Sequence, residues 1–236
     1  MPANKQICLV TGASSGIGYA IAGALAADNC RVVATARRAD RLKKLGLDPG
    51  DLLPGDLTSS QFQDLLEHHL FQTCGRCDYL FNCAGMIEVG SIEEIDIEKM
   101  CAMIRLNVEA TFRLSYRFLK NFRRQGFGHI VNISSVLGTK VRPTAGAYAA
   151  TKFAVEALSE ALRMELSGTA IKVSCIEPGL VMTDLHKDWK VHPRESMGIH
   201  EPLTVDDIVE TVRFIMKQPD HVRIPRLMIL PRDHNI

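Results

Sequence analysis

Short apolar runs alternate along the whole chain with longer segments in which apolar residues return every three or four positions. The runs fall at residues 6–10, 31–36, 51–54, 78–82, 128–134, 171–177 and 226–230 and predict strands. The segments between them predict helices over 16–28, 59–71, 98–124, 147–166 and 204–217. In the first helix Ile17, Ala20, Ile21, Ala24 and Leu25 form one stripe. Thr204, followed by Asp206 and Asp207, predicts the start of the last helix, because a hydroxyl can cap the first turn and carboxylates oppose the helix dipole. Repeated strand and helix units predict an α/β fold around a parallel sheet.

Two segments stand out. Residues 184–203 are polar, carry Pro193, Pro202 and the single tryptophan, Trp189, and predict an irregular excursion over the sheet edge, the kind of loop that carries function. Helix 147–166 has an apolar arc, including Phe153, Ala157, Ala161 and Met164, that is wider than one sheet contact requires. A second buried face follows, and with it a homodimer or homotetramer.

At 236 residues the chain fits one α/β domain, and 46% hydrophobic residues are enough for a core without metal or disulfide staples. The formal net charge of +1 offers no field to recruit nucleic acid or an anionic membrane. No stretch reaches the roughly 20 apolar residues of a bilayer span. The N-terminus enters a strand-like run without a signal segment, so a soluble, cytoplasmic protein is expected. Seven cysteines, mostly in apolar runs, read as free thiols. Cys74 and Cys77 form the one CxxC, and no second CxxC or histidine pair accompanies it, so no metal site is expected.

The chemistry lies elsewhere. TGASSGIG, at residues 11–18, stands between a strand and a helix, with Gly12, Gly16 and Gly18 placed for a tight turn, backbone approach to a phosphate and close helix packing. Tyr148 and Lys152 are four residues apart, one helical turn, so a phenol and an ammonium share a face and the cation is expected to lower the phenol's pKa. Ser135 precedes the tyrosine by thirteen residues. The set predicts proton transfer to a carbonyl oxygen, with Tyr148 as acid and Ser135 orienting the oxygen. After the second strand VVATARR ends in Arg37 and Arg38, where an NAD-binding protein would place a carboxylate; arginines there suit a 2′-phosphate and predict NADP over NAD. Asp40, three residues on, reads as the cap of the next helix.

TGASSGIG, NCAG at 82–85, ISS at 133–135, YAATK at 148–152 and EPG at 177–179 stand in an order and at intervals that closely resemble the short-chain dehydrogenase/reductase family over nearly the whole chain. The resemblance implies a single-domain Rossmann fold over residues 1–236, with a doubly wound, seven-stranded parallel sheet and helices on both faces. It implies an NADP-dependent oxidoreductase acting on a small carbonyl or alcohol. Ser135, rather than its neighbour Ser134, is the family serine, and Asn107 completes a catalytic set with Tyr148 and Lys152. The cofactor would be held by Gly12, Ser14, Ser15, Gly16, Ile17 and Gly18, by Arg37 and Arg38, by Asp56 and Leu57 at the adenine, and by Asn82, Ala84 and Gly85. Lys152 would also meet the ribose, and Pro178, Gly179 and Thr183 would flank the nicotinamide. Where the family usually has a second Asn this chain has Cys83. A substrate wall is expected from Met86, Ile87, Val136, Leu137, Gly138, Thr144, Ala145 and Leu180 with the excursion. Lys140, Arg142, His186, Lys187 and Lys190 near it tilt the wall toward an acidic substrate. Two rivals are a cofactor-binding regulator with a vestigial site, and an epimerase or dehydratase, for which the chain is short.

Overall fold

In the computed structural model, residues 5–187, 189 and 191–236 are described, so Lys190 lies outside the described residues. Seven parallel strands run in the order β3-β2-β1-β4-β5-β6-β7: β1 (Ile7–Thr11), β2 (Arg31–Ala36), β3 (Leu52–Pro54), β4 (Tyr79–Asn82), β5 (Phe127–Ile133), β6 (Ala170–Pro178) and β7 (Arg226–Ile229). Each lies within one residue of its sequence-predicted position at either end. The chain winds outward from β1 to one edge, returns, and fills the other side from β4, which opens a crevice at the carboxyl ends of β1 and β4.

Strand residues alternate between two cores. Leu9, Leu80, Ile130 and Val173 face a layer built on α5 (Thr111–Gln125), whose Leu114, Phe118 and Phe122 are buried. Val10, Phe81, Val131 and Ile176 face the other layer, made by α1 (Gly16–Ala27) and α8 (Val205–Met216). These buried faces lock the register, since a one-residue slip would exchange the two sides.

The last helix starts as expected. Thr204 accepts from the Asp207 backbone N–H while the Asp207 carboxylate accepts from the Thr204 N–H, a reciprocal cap. Elsewhere the helices differ from their periodicity. The segment predicted as one helix over 98–124 is α4 (Ile97–Ile104), a π-helical stretch Arg105–Ala110, and α5. A second π turn, His69–Thr73, follows α3 (Ser60–His68). A short α2 (Ala39–Lys43) has Arg38, not Asp40, at its N-cap; Asp40 sits inside the first turn, where its charge opposes the dipole without capping. The excursion 184–203 is partly helical, with a 3-10 turn Asp184–His186 and α7 (Pro193–Ser196). Its two ends are joined: Val181 pairs with Leu203, Met182 N–H donates to Leu203 C=O at 2.8 Å and Leu203 N–H to Leu180 C=O at 3.0 Å. Helix α6 (Gly146–Glu165) buries Tyr148, Ala149, Lys152, Val155 and Leu162 and leaves Phe153 and Met164 exposed. No helix among the described residues is long and apolar enough to cross a membrane.

Candidate active site

A cleft of about 740 Å³ runs along the carboxyl ends of the strands; every residue predicted for catalysis or cofactor binding except Asn82 and Asn107 lines it, and of the predicted substrate wall Met86, Ile87, Val136, Leu137 and Leu180 do, whereas Gly138, Thr144 and Ala145 do not. Its floor at one end is the glycine loop. Gly12 has φ +67°, and a Cβ there would stand 2.8 Å from the Ala84 backbone, so β1 and β4 meet closely enough only without a side chain. A Cβ on Gly18 would stand 2.7 Å from the Gly12 carbonyl oxygen, and its absence seats α1 directly on the turn. Thr11 fastens the same junction: its hydroxyl oxygen accepts from the N–H groups of Cys83 at 3.0 Å and Ala84 at 3.1 Å. The N-cap residue of α1, Ser15, makes no side-chain bond to the helix, so the first-turn N–H groups at the cleft suit an anion.

The two arginines after β2 are not equivalent. Both are exposed, but Arg38 donates from Nε and Nη2 to Ser14 Oγ at 3.1 and 3.0 Å and from Nη2 to Ser15 Oγ at 2.6 Å, whereas Arg37 makes no side-chain hydrogen bond among the described residues. Arg38 is thereby fixed against the glycine loop, and no carboxylate stands at the end of β2.

At the other end, β5 delivers Ser135 and α6 delivers Tyr148 and Lys152. Ser135 leads a 3-10 turn and accepts from the Leu137 N–H at 3.1 Å. Ser134 points away, into the space between Gly138 and Glu156, where its hydroxyl has no partner among the described residues. Lys152 donates to the Ile133 carbonyl at 2.9 Å, and its ammonium lies 5.8 Å from the centroid of the Tyr148 ring.

The expected lowering of the Tyr148 pKa is not what the structure shows. Burial pushes the phenol up to about 12; the Ser135 hydroxyl and the charge of Arg142 pull the other way and do not overcome it. Lys152 is turned to a backbone carbonyl and is itself held down to about 8 by burial, with the Glu156 carboxylate pulling the other way. Cys83, the departure from the family pattern, is a half-buried thiol at the cleft wall, pushed up to about 12 by desolvation, and stays neutral beside the lysine.

The two asparagines serve the site from behind. Asn82 donates to Ser115 Oγ at 3.1 Å and Asn132 Oδ1 at 2.8 Å, so its side chain ties β4 to β5 and α5 and does not line the cleft. Asn107 lies in the π-helical stretch, 2% exposed. Its Oδ1 accepts from the Met86 N–H at 3.0 Å, and its Nδ2 donates to Met86 C=O at 2.9 Å and Thr151 Oγ1 at 3.2 Å. It joins the loop after β4 to the turn of α6 that carries Lys152, and the extra residue of the π turn is what brings an amide inward there.

Some cleft residues had no signal in the sequence. His234 and Ile236, from a polar segment with no periodicity, line the cleft. Arg142, expected beside the substrate wall, does line the cleft and reaches Tyr148 electrostatically. Lys140, named beside it, is exposed and outside the cleft. Trp189 packs edge-on against His186, ring centroids 4.9 Å apart.

On the opposite edge of the sheet Asp51, His69 and Cys74 bring one potential ligand atom each within 4.8 Å of one another. The CxxC does not act as a unit: Cys77 donates to the Tyr79 carbonyl at 3.2 Å, and both thiols are free. Asp51 already takes two hydrogen bonds at 2.9 Å from the Arg31 guanidinium, whose positive charge balances the carboxylate.

The fold and the cleft define an α/β protein of the Rossmann type with its site at the sheet's switch point. Residues 6–193 match the short chain dehydrogenase family. The chain is 33% identical over 230 residues to an uncharacterized oxidoreductase of Staphylococcus aureus (strain MRSA252), covering 96% of this chain and 97% of that one. Among solved structures it resembles a serine dehydrogenase complexed with NADP+, with a TM-score of 0.86, 29% identity, and 95% and 94% of the two chains covered. It also resembles an alcohol dehydrogenase from the archaeon Thermococcus sibiricus complexed with 5-hydroxy-NADP, with a TM-score of 0.85, 27% identity and 99% of each chain covered. The chain belongs to the short-chain dehydrogenase/reductase family of oxidoreductases.

Proposed function

We propose that the protein is an NADP-dependent oxidoreductase that interconverts a ketone or aldehyde and its alcohol, with Tyr148 giving and taking the proton. The observation that carries this reading is the convergence of Ser135, Tyr148 and Lys152 in the same cleft as the tight glycine turn after β1. The turn at Gly12 and the first turn of α1 would hold the pyrophosphate, with Ser14 to Gly18 around it. Arg38, fixed by Ser14 and Ser15, and Arg37 beside it would hold a 2′-phosphate. Asp56 and Leu57 would meet the adenine, Ala84, Gly85 and Lys152 the ribose side, and Pro178, Gly179 and Thr183 the nicotinamide. Both solved relatives named above carry an NADP-type ligand, which supports this choice.

When bound, the nicotinamide supplies the hydride for reduction and takes it in oxidation. The rest falls to the chain. A carbonyl oxygen between Ser135 and Tyr148 accepts from both hydroxyls, and the negative charge gathering on it draws the Tyr148 proton. Burial keeps Tyr148 protonated at neutral pH, so it enters reduction as an acid. Lys152, charged below about pH 8, stabilises the phenolate that remains. Asn107 holds Met86 and Thr151, and through them the position of Lys152.

The exposed Phe153 and Met164 on α6, with Tyr116 on α5, support a homodimer or homotetramer closed over these helices. Size-exclusion chromatography with light scattering checks it, a monomer at micromolar concentration counting against it. Seven cysteines without a disulfide support a reducing compartment, the cytosol. The test of the function is a screen of NADPH oxidation over ketones, aldehydes and oxo acids, run beside NADP reduction over the matching alcohols. Tight NADPH binding with no turnover would instead indicate a regulator.

A further inference from the structure

We propose that Arg142 anchors a substrate carboxylate, so that the cleft takes oxo acids and the matching hydroxy acids, with the carboxylate on Arg142 and the reacting carbon at Ser135 and Tyr148. The inference rests on the reading of Tyr148 as the proton donor.

Arg142 is a half-buried guanidinium in the cleft wall, and its hydrogen-bond partner among the described residues is a thioether, Met197 Sδ at 2.9 Å. None of the ion pairs among the described residues includes it, and burial works against its charge. Arginine stems normally leave their heads in water or on a carboxylate. The acids lining the cleft do not serve it. Asp56 stands by the cofactor loop, and Asp184 is taken by Arg41 at 2.9 Å.

Two imidazoles join Arg142. His186, 9% exposed, has a buried Nδ1 without a partner, and both ring nitrogens of His234 are buried and unpaired. Burial disfavours protonation of both; His192 and then Arg142 add to it at His186, and Arg142 does so at His234 against the pull of Asp233, so both rings are biased to the neutral form, which carries one N–H donor. One charge and two neutral donors suit a monoanion better than a phosphate dianion. Around them the wall is apolar, with Val136, Leu137, Leu180 and Pro193. Arg142 lines the same cleft as Ser135 and Tyr148, so one small molecule can meet the guanidinium and the two hydroxyls together.

The test is steady-state reduction with NADPH of pyruvate and acetoacetate, each against its methyl ester, and of 2-butanone, in wild type and Arg142→Met. Expected is a kcat/KM for the better acid at least about tenfold above its ester in wild type. Arg142→Met should then lower the acid's kcat/KM at least about tenfold more than the ester's, chiefly through KM. Because losing Arg142 also changes the Tyr148 environment for both substrates, the acid-to-ester ratio is the diagnostic. A variant that still reduces the ester is folded. As a readout without turnover, butanoate but not butanamide should raise the Tm of the wild-type NADPH complex, and Arg142→Met should lose that shift. Esters or 2-butanone favoured over the acids, or an unchanged ratio in the variant, overturn the anchor and leave the oxidoreductase reading standing. NADPH consumed with no compound of the set, and no Tm shift from butanoate, overturns both.

Discussion

Lys152 donates to the carbonyl of Ile133, the last residue of β5, while the Tyr148 ring lies beneath the same ammonium. The lysine is thus aimed by the sheet and not by the tyrosine. Its charge is lost above about pH 8, while Tyr148 stays protonated well beyond that. Carbonyl reduction should therefore be flat below about pH 8 and fall above it. A pH profile of kcat/KM checks this, and Lys152→Arg, whose charge persists, should remove the fall between pH 8 and 10 in whatever activity it keeps. A flat wild-type profile to pH 10 would contradict the assignment.

Tyr148→Phe removes the proton donor without changing the ring. Its kcat should drop about 10²- to 10⁴-fold, with the NADPH dissociation constant changed less than about threefold. Ser135→Ala should cost about 10²-fold or more, and Ser134→Ala less, since Ser134 faces Glu156 and Gly138. Initial rates and a fluorescence titration of NADPH measure these, and a greater loss in Ser134→Ala would reverse the choice of serine.

Cofactor preference should respond to the arginine that the loop holds. Arg38→Ala should raise the KM for NADPH about 10- to 100-fold and that for NADH by far less, since a charged hydrogen bond to a 2′-phosphate is lost only with NADPH. Arg37→Ala should show the same selectivity, and Ser15→Ala a weaker form of it through a looser Arg38. Equal effects on both cofactors would sink the NADP assignment.

Asn107→Ala leaves the Met86 N–H and C=O unpaired behind the site. It should cost about 2–3 kcal/mol of stability in urea unfolding, and lower kcat as well. A variant of unchanged stability would show that water replaces the amide at no cost.

The sheet was legible because parallel strands buried on both faces leave short apolar runs that nothing else in the chain mimics. Helix interruptions were not. Arg105 to Ala110 keep a helical pattern of side chains, and the π geometry there accompanies contacts of Asn107 with Met86 and Thr151 that are distant in the chain. Helices α2 and α7 are too short for periodicity to register. In the site, Ser135, Tyr148 and Lys152 were readable from fixed spacing, whereas the direction of the Tyr148 shift was not. Spacing gives proximity along a helix; it does not give burial, which sets the phenol's pKa here. Likewise His234 joins the cleft through contacts distant in the chain, and Cys74 comes near Asp51 and His69, which spacing within its own CxxC could not indicate.

The paired ends of the excursion, Val181 on Leu203, make the stretch between them a cassette. Both ends are pinned next to the C-terminal end of β6, so the stretch after Thr183, residues 184–202, can lengthen, shorten or be exchanged without disturbing the strand order or the hydroxyls that follow β5 and stand on α6. The fold thereby separates what can drift from what cannot, and a loop transplant between those two residues is the natural way to re-aim this scaffold at a different molecule.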